Sequence, residues 1–181
     1  MAKQSAGILL YRLKDSSLEI LLVHPGGPFF AKKDLGAWSI PKGEFQDGED
    51  PTEVAKRELQ EETGYLVDTS LIPLTEIKQK GGKKVLAWAA EGDFDPSVIK
   101  SNTFSLEWPP RSGRMQEFPE VDKAEWFSVS LAKQKINPNQ SNFIEELLSK
   151  LNLKDVTEVS DEAHASDTKI SDKDDSQQSL F

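Results

Sequence analysis

The sequence GEFQDGEDPTEVAKRELQEETGY, residues 43–65, joins a glycine-containing turn to a predicted helix that carries a cluster of glutamates. Asp50 followed by Pro51 is typical of a helix N-cap with proline in the first turn, where the missing N–H group costs nothing. Gly64 stands where a C-cap glycine is expected. The pattern therefore predicts a helix bounded by these two caps.

Helical periodicity places the acidic side chains of this helix on the side that faces the protein. At roughly 100° per residue, Glu58, Glu61 and Glu62 fall within one arc, and the apolar Val54 projects into it. The opposite side is polar and forms the predicted solvent face, with Glu53, Lys56 and Gln60. Three glutamates alone would suit an ordinary charged surface helix. Their inward placement beside Arg57 argues for a bound cation, because crowded like charges repel unless they are paired or bind a metal.

The chemistry of these side chains indicates which cation would bind. The ligands at hand are oxygens, and the chain has no cysteine. Such a ligand set favours Mg²⁺ or Mn²⁺ over Zn²⁺. Magnesium keeps several waters and commonly bridges carboxylates to substrate phosphates. The glutamate cluster therefore predicts phosphate chemistry supported by a hard divalent cation.

The same stretch resembles the Nudix box, a pattern of G, five residues, E, seven residues and R-E-U-x-E-E-x-G-U, where U is bulky and apolar. The matching positions are Gly43, Glu49, Arg57, Glu58, Leu59, Glu61, Glu62 and Gly64. Only the final position differs, where Tyr65 replaces an aliphatic residue. Residues 38–43, WSIPKG, resemble the lead-in of the branch that includes dinucleoside polyphosphate and diphosphoinositol polyphosphate hydrolases. The resemblance implies an α/β fold, a Nudix α/β/α sandwich with a mixed β-sheet.

The resemblance also implies roles for the residues of the box. Glu58, Glu61 and Glu62 would bind Mg²⁺, for which Mn²⁺ can substitute, and the carbonyl group of Gly43 would complete the ligand set. Arg57 would pair with a box carboxylate and orient it, or form a salt bridge and nothing more. Glu58, Glu61 and Arg57 are therefore the predicted catalytic residues of the box.

A further glutamate is expected to act as general base or as an extra metal ligand. Glu120 precedes Trp126 by six residues, which is the spacing of a late glutamate in the family segment that this region resembles. Glu117 lies nearby, and family members differ in whether a box glutamate is the base. The base is therefore left open between Glu120, Glu117 and Glu61.

The expected reaction is attack of a metal-activated water on phosphorus in a nucleoside diphosphate linked to another moiety. Nucleoside or dinucleoside polyphosphates are the expected substrates. The alternatives are a module that senses a nucleotide without turnover and a hydrolase of diphosphoinositol polyphosphates or RNA ends. The complete set of box glutamates favours an enzyme, and the acidic charge balance disfavours an RNA substrate.

Lys42, Trp38 and Arg114 are the predicted substrate-binding residues, since phosphate-rich ligands need cations and a nucleobase can stack on an aromatic ring. Further candidates for phosphate are Lys32, Lys33, Arg111, Lys83 and Lys84, and further candidates for stacking are Phe29, Phe30, Trp88 and Trp108. Each has a plainer alternative, which is a solvated surface cation or an aromatic residue in the core.

The composition predicts one domain, residues 1–153, followed by an acidic tail, residues 154–181. The tail is rich in Asp, Ser and Lys and poor in apolar residues, which is typical of a disordered segment. The net charge of -9 argues against general nucleic-acid binding. Neither a signal peptide nor an apolar run long enough to span a bilayer is seen, so a cytoplasmic protein is expected. The oligomeric state is left open.

The last five residues, Gln177–Phe181, read QQSLF and close a polar tail with two apolar side chains. They resemble the short peptide by which bacterial replication proteins bind the sliding clamp. Disordered tails commonly carry such docking peptides, because they can fold on a partner. A chance match of five residues is the alternative.

The remaining pattern predicts how the chain is organised around the box. Apolar runs predict strands at 6–13, 18–24, 38–40 and 126–129, and a hairpin of 71–80 with 83–91 around Gly81 and Gly82. Residues 94–117 are expected to form a long loop flanking a strand. Helices are predicted at 131–136 and 141–151, the second from its apolar residues at helical spacing.

Overall fold

The computed structural model describes residues 2–153. Within that range nine strands are present: β1 (Gln4–Lys14), β2 (Ser17–Pro25), β3 (Lys42–Phe45), β4 (Ile72–Pro73), β5 (Ile77–Lys78), β6 (Lys84–Glu91), β7 (Thr103–Glu107), β8 (Met115–Pro119) and β9 (Val121–Ser128). The α-helices are α1 (Pro51–Thr63), α2 (Val129–Lys135) and α3 (Ser141–Lys150). The predicted acidic tail and the sequence QQSLF lie outside the described residues.

Seven strands form one mixed sheet with the order β4-β6-β1-β2-β9, in which β3 also pairs with β1 and β5 with β6. The β1–β6 pair is parallel, and the other pairs of this sheet are antiparallel. β1 pairs with β3 through its first half and with β2 through its second half. This arrangement brings the start of the box next to the central strand of the fold.

Alternating side chains of β1 supply two separate cores, one on each face of the sheet. Ile8 and Leu10 pack on one face with Leu59 of α1. Leu9 packs on the other face with residues of α2 and α3, among them Phe143. Since both faces of a strand in the middle of the sheet are covered by helices, it reads as a continuous apolar run. The predicted α/β/α sandwich with a mixed sheet is confirmed.

The box helix begins and ends as its caps predict. The Asp50 carboxylate accepts a hydrogen bond from the Thr52 N–H at 2.9 Å, and Pro51 occupies the first turn. Gly64 is left-handed, with φ of 83°, and its N–H donates to the Gln60 carbonyl at 2.7 Å. A glycine adopts this conformation without the steric cost that a side chain would add.

Replacing Asp50 by alanine is expected to lower the free energy of unfolding by about 1 kcal/mol, because the helix loses its N-cap acceptor. Urea denaturation of the two proteins measures this difference. Asp47→Ala is the matched control, since it removes an exposed carboxylate from the same loop, and it should change the stability by less than about 0.5 kcal/mol. Equal losses in the two variants would contradict a capping role.

Three parts of the chain differ from the sequence prediction. Residues 38–40 form only isolated bridges, Ser39 to Val23 and Trp38 to Ile136, because Pro41 offers no N–H group to continue a ladder. β3 was not predicted, since four residues that include a glycine show no alternating pattern. The segment 94–117 contains a hairpin of β7 and β8 instead of a long loop with one strand.

The predicted boundaries of two later elements are also shifted. β9 begins at Val121, five residues before the predicted strand, and pairs with β2 along its length. α2 begins at Val129, because the Ser128 hydroxyl accepts from the Leu131 N–H at 3.4 Å and caps the helix there. The predicted arm 71–80 forms two short strands, β4 and β5, which both pair with β6.

None of the helices in the described part of the chain has the length and apolar character that a bilayer crossing requires.

Candidate active site

The candidate site lies where β3 meets α1. Gly43 on β3 pairs with Ala6 of the central strand, and its open side faces Glu58 of the helix. A Cβ atom built on Gly43 would overlap all three carboxylate atoms of Glu58. The Glu58 carboxylate therefore occupies the space that a side chain at position 43 would fill. Its side chain is 13% exposed, so the group lies in a cleft that solvent barely reaches.

Glu62 contributes a second carboxylate that lies deeper than Glu58. Its Oε2 atom is buried and has no hydrogen-bond partner among the described residues. Burial raises the pKa of Glu62 to about 8, and the charges of Glu58 and Glu120 act in the same direction. The Lys42 charge and a hydrogen bond from the Lys42 backbone oppose this effect. A buried oxygen without a partner is costly unless a cation or a donor completes it.

The pKa of Glu58 is also raised. Burial is the main cause, and the neighbouring charge of Glu61 adds to it, while Arg57 acts against both. Glu61 itself is more open, with 38% of its side chain exposed. The three box glutamates therefore descend from the rim of the cleft to its floor in the order Glu61, Glu58, Glu62.

Arg57 lies at the rim and contacts several carboxylates at once. Its guanidinium is 3.4 Å from Glu49, 3.9 Å from Glu58 and 3.9 Å from Glu61. Glu49 in turn accepts a hydrogen bond from the Gln46 N–H at 2.9 Å, so it bonds to both the box backbone and Arg57. Because Arg57 is half exposed, we infer that it orients the carboxylates and contributes little to the stability of the fold.

The chemistry of these residues suits a hard divalent cation, but their carboxylates do not converge on one point. Among residues 2–153 no three Asp, Glu, His or Cys side chains stand close enough to form a complete metal cage. The donors are oxygens, the Glu62 Oε2 atom lacks a partner, and Gly43 leaves the Glu58 carboxylate its space. Mg²⁺, which needs only one or two carboxylates and keeps its waters, fits such an incomplete set.

Glu120 lies far from the box in the sequence, between β8 and β9. Its N–H donates to the Asn102 carbonyl at 2.8 Å, and its carbonyl accepts from the Gly26 N–H at 3.0 Å. Its charge contributes to the raised pKa values of both Glu58 and Glu62. Glu117 is also exposed but lies on β8, opposite Ser105, and does not contribute to either raised pKa. The position of Glu120 therefore suits a role in the site better than that of Glu117.

The three predicted substrate-binding residues lie in different environments. Lys42 approaches Glu62, Glu44 and Glu58, and burial lowers its pKa. Arg114 is exposed in the turn between β7 and β8.

Trp38 is 3% exposed, stacks edge-on against Phe127 at 4.9 Å and donates to Asp34 at 2.8 Å. This is the position of a core residue, so it gives no support to a substrate contact.

The other cationic and aromatic candidates are partly accounted for by contacts within the protein. Lys83 pairs with Glu44 at 3.0 Å, and Lys84 pairs with Glu76 at 3.4 Å. Trp88 packs against the core under α1. Arg111 has a φ of 60° in the turn of the β7–β8 hairpin and is exposed.

Two residues that hold the site together were missed by the sequence analysis. Asn102 connects α1 to Glu120, because its N–H donates to the Glu61 carbonyl at 3.2 Å while its own carbonyl accepts from Glu120. Gly26 holds the other side of Glu120. These are backbone hydrogen bonds, for which the side-chain pattern carries no signal.

Comparison with known proteins is consistent with this geometry. The family model described as NUDIX domain matches residues 1–147. The bis(5'-nucleosyl)-tetraphosphatase (asymmetrical) of Rattus norvegicus is 29% identical over 111 residues, which cover 54% of this chain and 71% of that protein. The 8-oxo-(d)GTP phosphatase of Mycolicibacterium smegmatis is 34% identical over 90 residues, 47% of this chain and only 27% of the relative's length. In structure, an Ap4A hydrolase of C. elegans superposes with a TM-score of 0.58 and 20% identity, covering 82% and 98% of the two chains.

Proposed function

The chain belongs to the NUDIX family of hydrolases, and we propose that it hydrolyses a nucleoside diphosphate linked to another moiety with Mg²⁺ as its cofactor. The observation that carries the proposal is the junction of β3 and α1. There Gly43 leaves room for the Glu58 carboxylate, and Glu62 has a buried oxygen without a partner. Carboxylate oxygens left open in a cleft are what a hard cation requires.

Glu58, Glu61 and Glu62 would hold the metal together with the carbonyl group of Gly43. Bound Mg²⁺ supplies a water of lowered pKa and neutralises charge on the phosphoryl oxygens. Arg57 keeps the carboxylates of Glu58 and Glu61 oriented through its contacts at 3.9 Å.

Lys42 brings a positive charge to the same cleft, where it can approach the phosphates of a substrate.

We propose Glu120 as the general base. It stands at the start of β9, is exposed, and is held by backbone hydrogen bonds to Asn102 and Gly26. Because the backbone of Glu120 is held in place, its carboxylate can accept a proton from an attacking water. Glu61 is the alternative base, and the kinetics and metal affinity of Glu61→Gln and Glu120→Gln separate the two.

Dinucleoside polyphosphates are the substrate class that we favour. The WSIPKG lead-in and the similarity to the rat tetraphosphatase support this choice. The test is release of nucleotide from a panel with Mg²⁺ and with Mn²⁺. The panel contains dinucleoside tetra- and pentaphosphates, (d)NTPs and their oxidised forms, ADP-ribose, NADH, diphosphoinositol phosphates and triphosphorylated RNA.

Turnover of one class above the rest, lost when metal is removed with EDTA, would support the proposal and name the substrate. Metal and nucleotide binding without turnover of any panel member would instead support a sensing module.

We also propose that the end of the chain docks on the sliding clamp of a replication machinery. This proposal rests on the sequence QQSLF alone, which lies outside the described residues. Deleting Gln177–Phe181 is expected to abolish binding to a purified bacterial clamp while hydrolysis is unchanged, because the deletion removes the two apolar anchors. Surface plasmon resonance measures the first property and the substrate assay the second. Clamp binding that persists in the truncated chain would refute the proposal.

A further inference from the structure

The hairpin of β7 and β8 and the loop Gly26–Lys33 lie side by side next to the candidate site. Three contacts between the loop and the hairpin segment follow, in order of increasing distance from the site. The Gly26 N–H donates to the Glu120 carbonyl at 3.0 Å. Gly27 lies directly against the ring of Phe104, where a Cβ atom would come within 2.9 Å of it. Farther out, the ring of Phe29 meets Trp108 edge-on, with 5.5 Å between centroids.

One face of the hairpin is aromatic. Strand alternation places Phe104 and Leu106 on the same side of β7, and Trp108 continues this spacing just past the end of the strand, where its backbone N–H donates to the Arg114 carbonyl. Phe118 of β8 lies opposite Phe104 at 6.0 Å between rings. All four are half-buried, whereas the residues between them are exposed. The hairpin therefore presents a partly covered apolar face that continues outward from Glu120.

Phe29 stands out on this face because it is 60% exposed although it contacts Trp108. An edge-on contact leaves a flat face of the phenyl ring open to a further planar group. Aromatic rings that are held in place but open on one face are the usual platform for nucleobases, since every base has a π-face.

The loop that carries Phe29 is held at both ends. His24 is buried, and its Nδ1 atom lies 2.8 Å from Asp122 while its Nε2 atom lies 2.7 Å from the Lys33 carbonyl. The Gly26 hydrogen bond to Glu120 fixes the first residues of the loop. Because the loop is already ordered before a ligand binds, stacking on Phe29 would not have to offset the entropy cost of ordering it.

The position of this surface relative to the box limits the ligand. Thr103 pairs with Pro119, the neighbour of Glu120, and Trp108 follows five residues later, directly after the end of β7. At about 3.3 Å per residue the two ends of the hairpin are roughly 17 Å apart. This is farther than a nucleobase lies from its own first phosphate. It suits a base that several phosphates separate from the bond that is cleaved.

The charges near the outer end agree with such a ligand. Arg111 and Arg114 are exposed in the turn of the hairpin, and Lys33 lies over the ring of Phe30 at 5.2 Å. These cations lie on the turn that follows Trp108 and on the loop that carries Phe29, where positive charge favours a phosphate-bearing ligand.

We propose that Phe29 and Trp108 bind the distal nucleobase of a dinucleoside polyphosphate. This inference rests on the proposed hydrolase function and adds the residues that recognise the base. The occupant is a nucleobase and not a protein, because the hairpin runs outward from Glu120, the proposed general base, and carries exposed cations in its turn.

The test is a binding measurement in the full chain carrying Glu61→Gln, which slows turnover about a hundredfold or more. Calorimetry gives Kd for diadenosine tetraphosphate and for inorganic tetraphosphate with Mg²⁺ present. Adding Phe29→Ala is expected to weaken binding of diadenosine tetraphosphate about tenfold or more, because stacking on one base is lost. Binding of inorganic tetraphosphate should be unchanged, and Phe29→Tyr should restore affinity for the dinucleotide.

Leu35→Ala is the matched control, since Leu35 is 68% exposed and lies just beyond the loop. It should leave both Kd values unchanged. An equal change for the two ligands, or an unchanged Kd for diadenosine tetraphosphate in Phe29→Ala, would overturn the inference. Turnover of another nucleotide class by the unmodified chain, without binding of diadenosine tetraphosphate, would overturn it while leaving the hydrolase function standing. If the unmodified chain turns over no member of the substrate panel and does not bind inorganic tetraphosphate, the hydrolase function itself would be refuted.

Discussion

Glu61→Gln is expected to lower the rate of hydrolysis by about a hundredfold or more, the range for loss of a catalytic group. The substitution keeps the shape of the side chain and removes the charge that would face the metal. Its carboxylate is 38% exposed at the rim and lies 3.9 Å from Arg57, so the fold does not depend on it. Steady-state kinetics with Mg²⁺ measures the rate, and calorimetry with Mn²⁺ measures metal affinity.

The matched control is Glu53→Gln, on the exposed side of the same helix. It should leave both the rate and the metal affinity unchanged. Glu120→Gln is expected to lower kcat with little change in metal affinity, whereas Glu61→Gln should lower both. A normal rate in Glu61→Gln would remove that residue from the site, and the reverse pattern in the two variants would make Glu61 the base.

Gly43→Ala is expected to reduce activity about a hundredfold, because displacement of a reacting group by one ångström can cost that much. The added Cβ atom would overlap the Glu58 carboxylate, which is 13% exposed and is the mobile end of its side chain. The carboxylate would have to swing away from its place opposite Glu62. Kinetics together with Mn²⁺ affinity measure the loss, and circular dichroism shows whether the fold is kept.

A second glycine of the same segment separates this steric effect from backbone strain. Gly48 has a φ of 94°, and a Cβ atom there would meet nothing within 4 Å. Gly48→Ala should therefore reduce the free energy of unfolding by about 1 kcal/mol or more, the cost of a left-handed alanine. Its activity under folding conditions should be unchanged. Equal losses of activity in both glycine variants would refute the steric explanation.

The features that the sequence predicted well are local. The limits of α1 follow from Asp50, Pro51 and Gly64, because each acts on the backbone within a few residues of itself. The half-buried position of Glu58 and Glu62 follows from the 3.6-residue period, which relates them to buried residues of the same helix. The strand predicted at 6–13 likewise follows from its apolar run and corresponds to β1.

The features that the sequence did not predict depend on contacts between distant segments. β3 forms because the first half of β1 has a free edge, and nothing within residues 42–45 indicates this. Trp38 is a residue type that can stack on a nucleobase, but its contacts with Phe127 and Asp34 hold it in the core. The β7–β8 hairpin was not predicted as a pair of strands, because apolar and polar residues alternate along β7 but not along β8.

By itself the sequence determined the box helix, its caps, the inward glutamates and the family to which the chain belongs. These depend on interactions between residues that are neighbours in the chain, so a spacing is enough to predict them. Only the tertiary structure distinguishes the surroundings of Glu120 from those of Glu117, since backbone bonds to Asn102 and Gly26 hold Glu120 and its charge helps to raise the pKa of Glu58. It also brought Phe29 against Trp108, because such pairs form when the sheet and hairpin close and no local spacing encodes them.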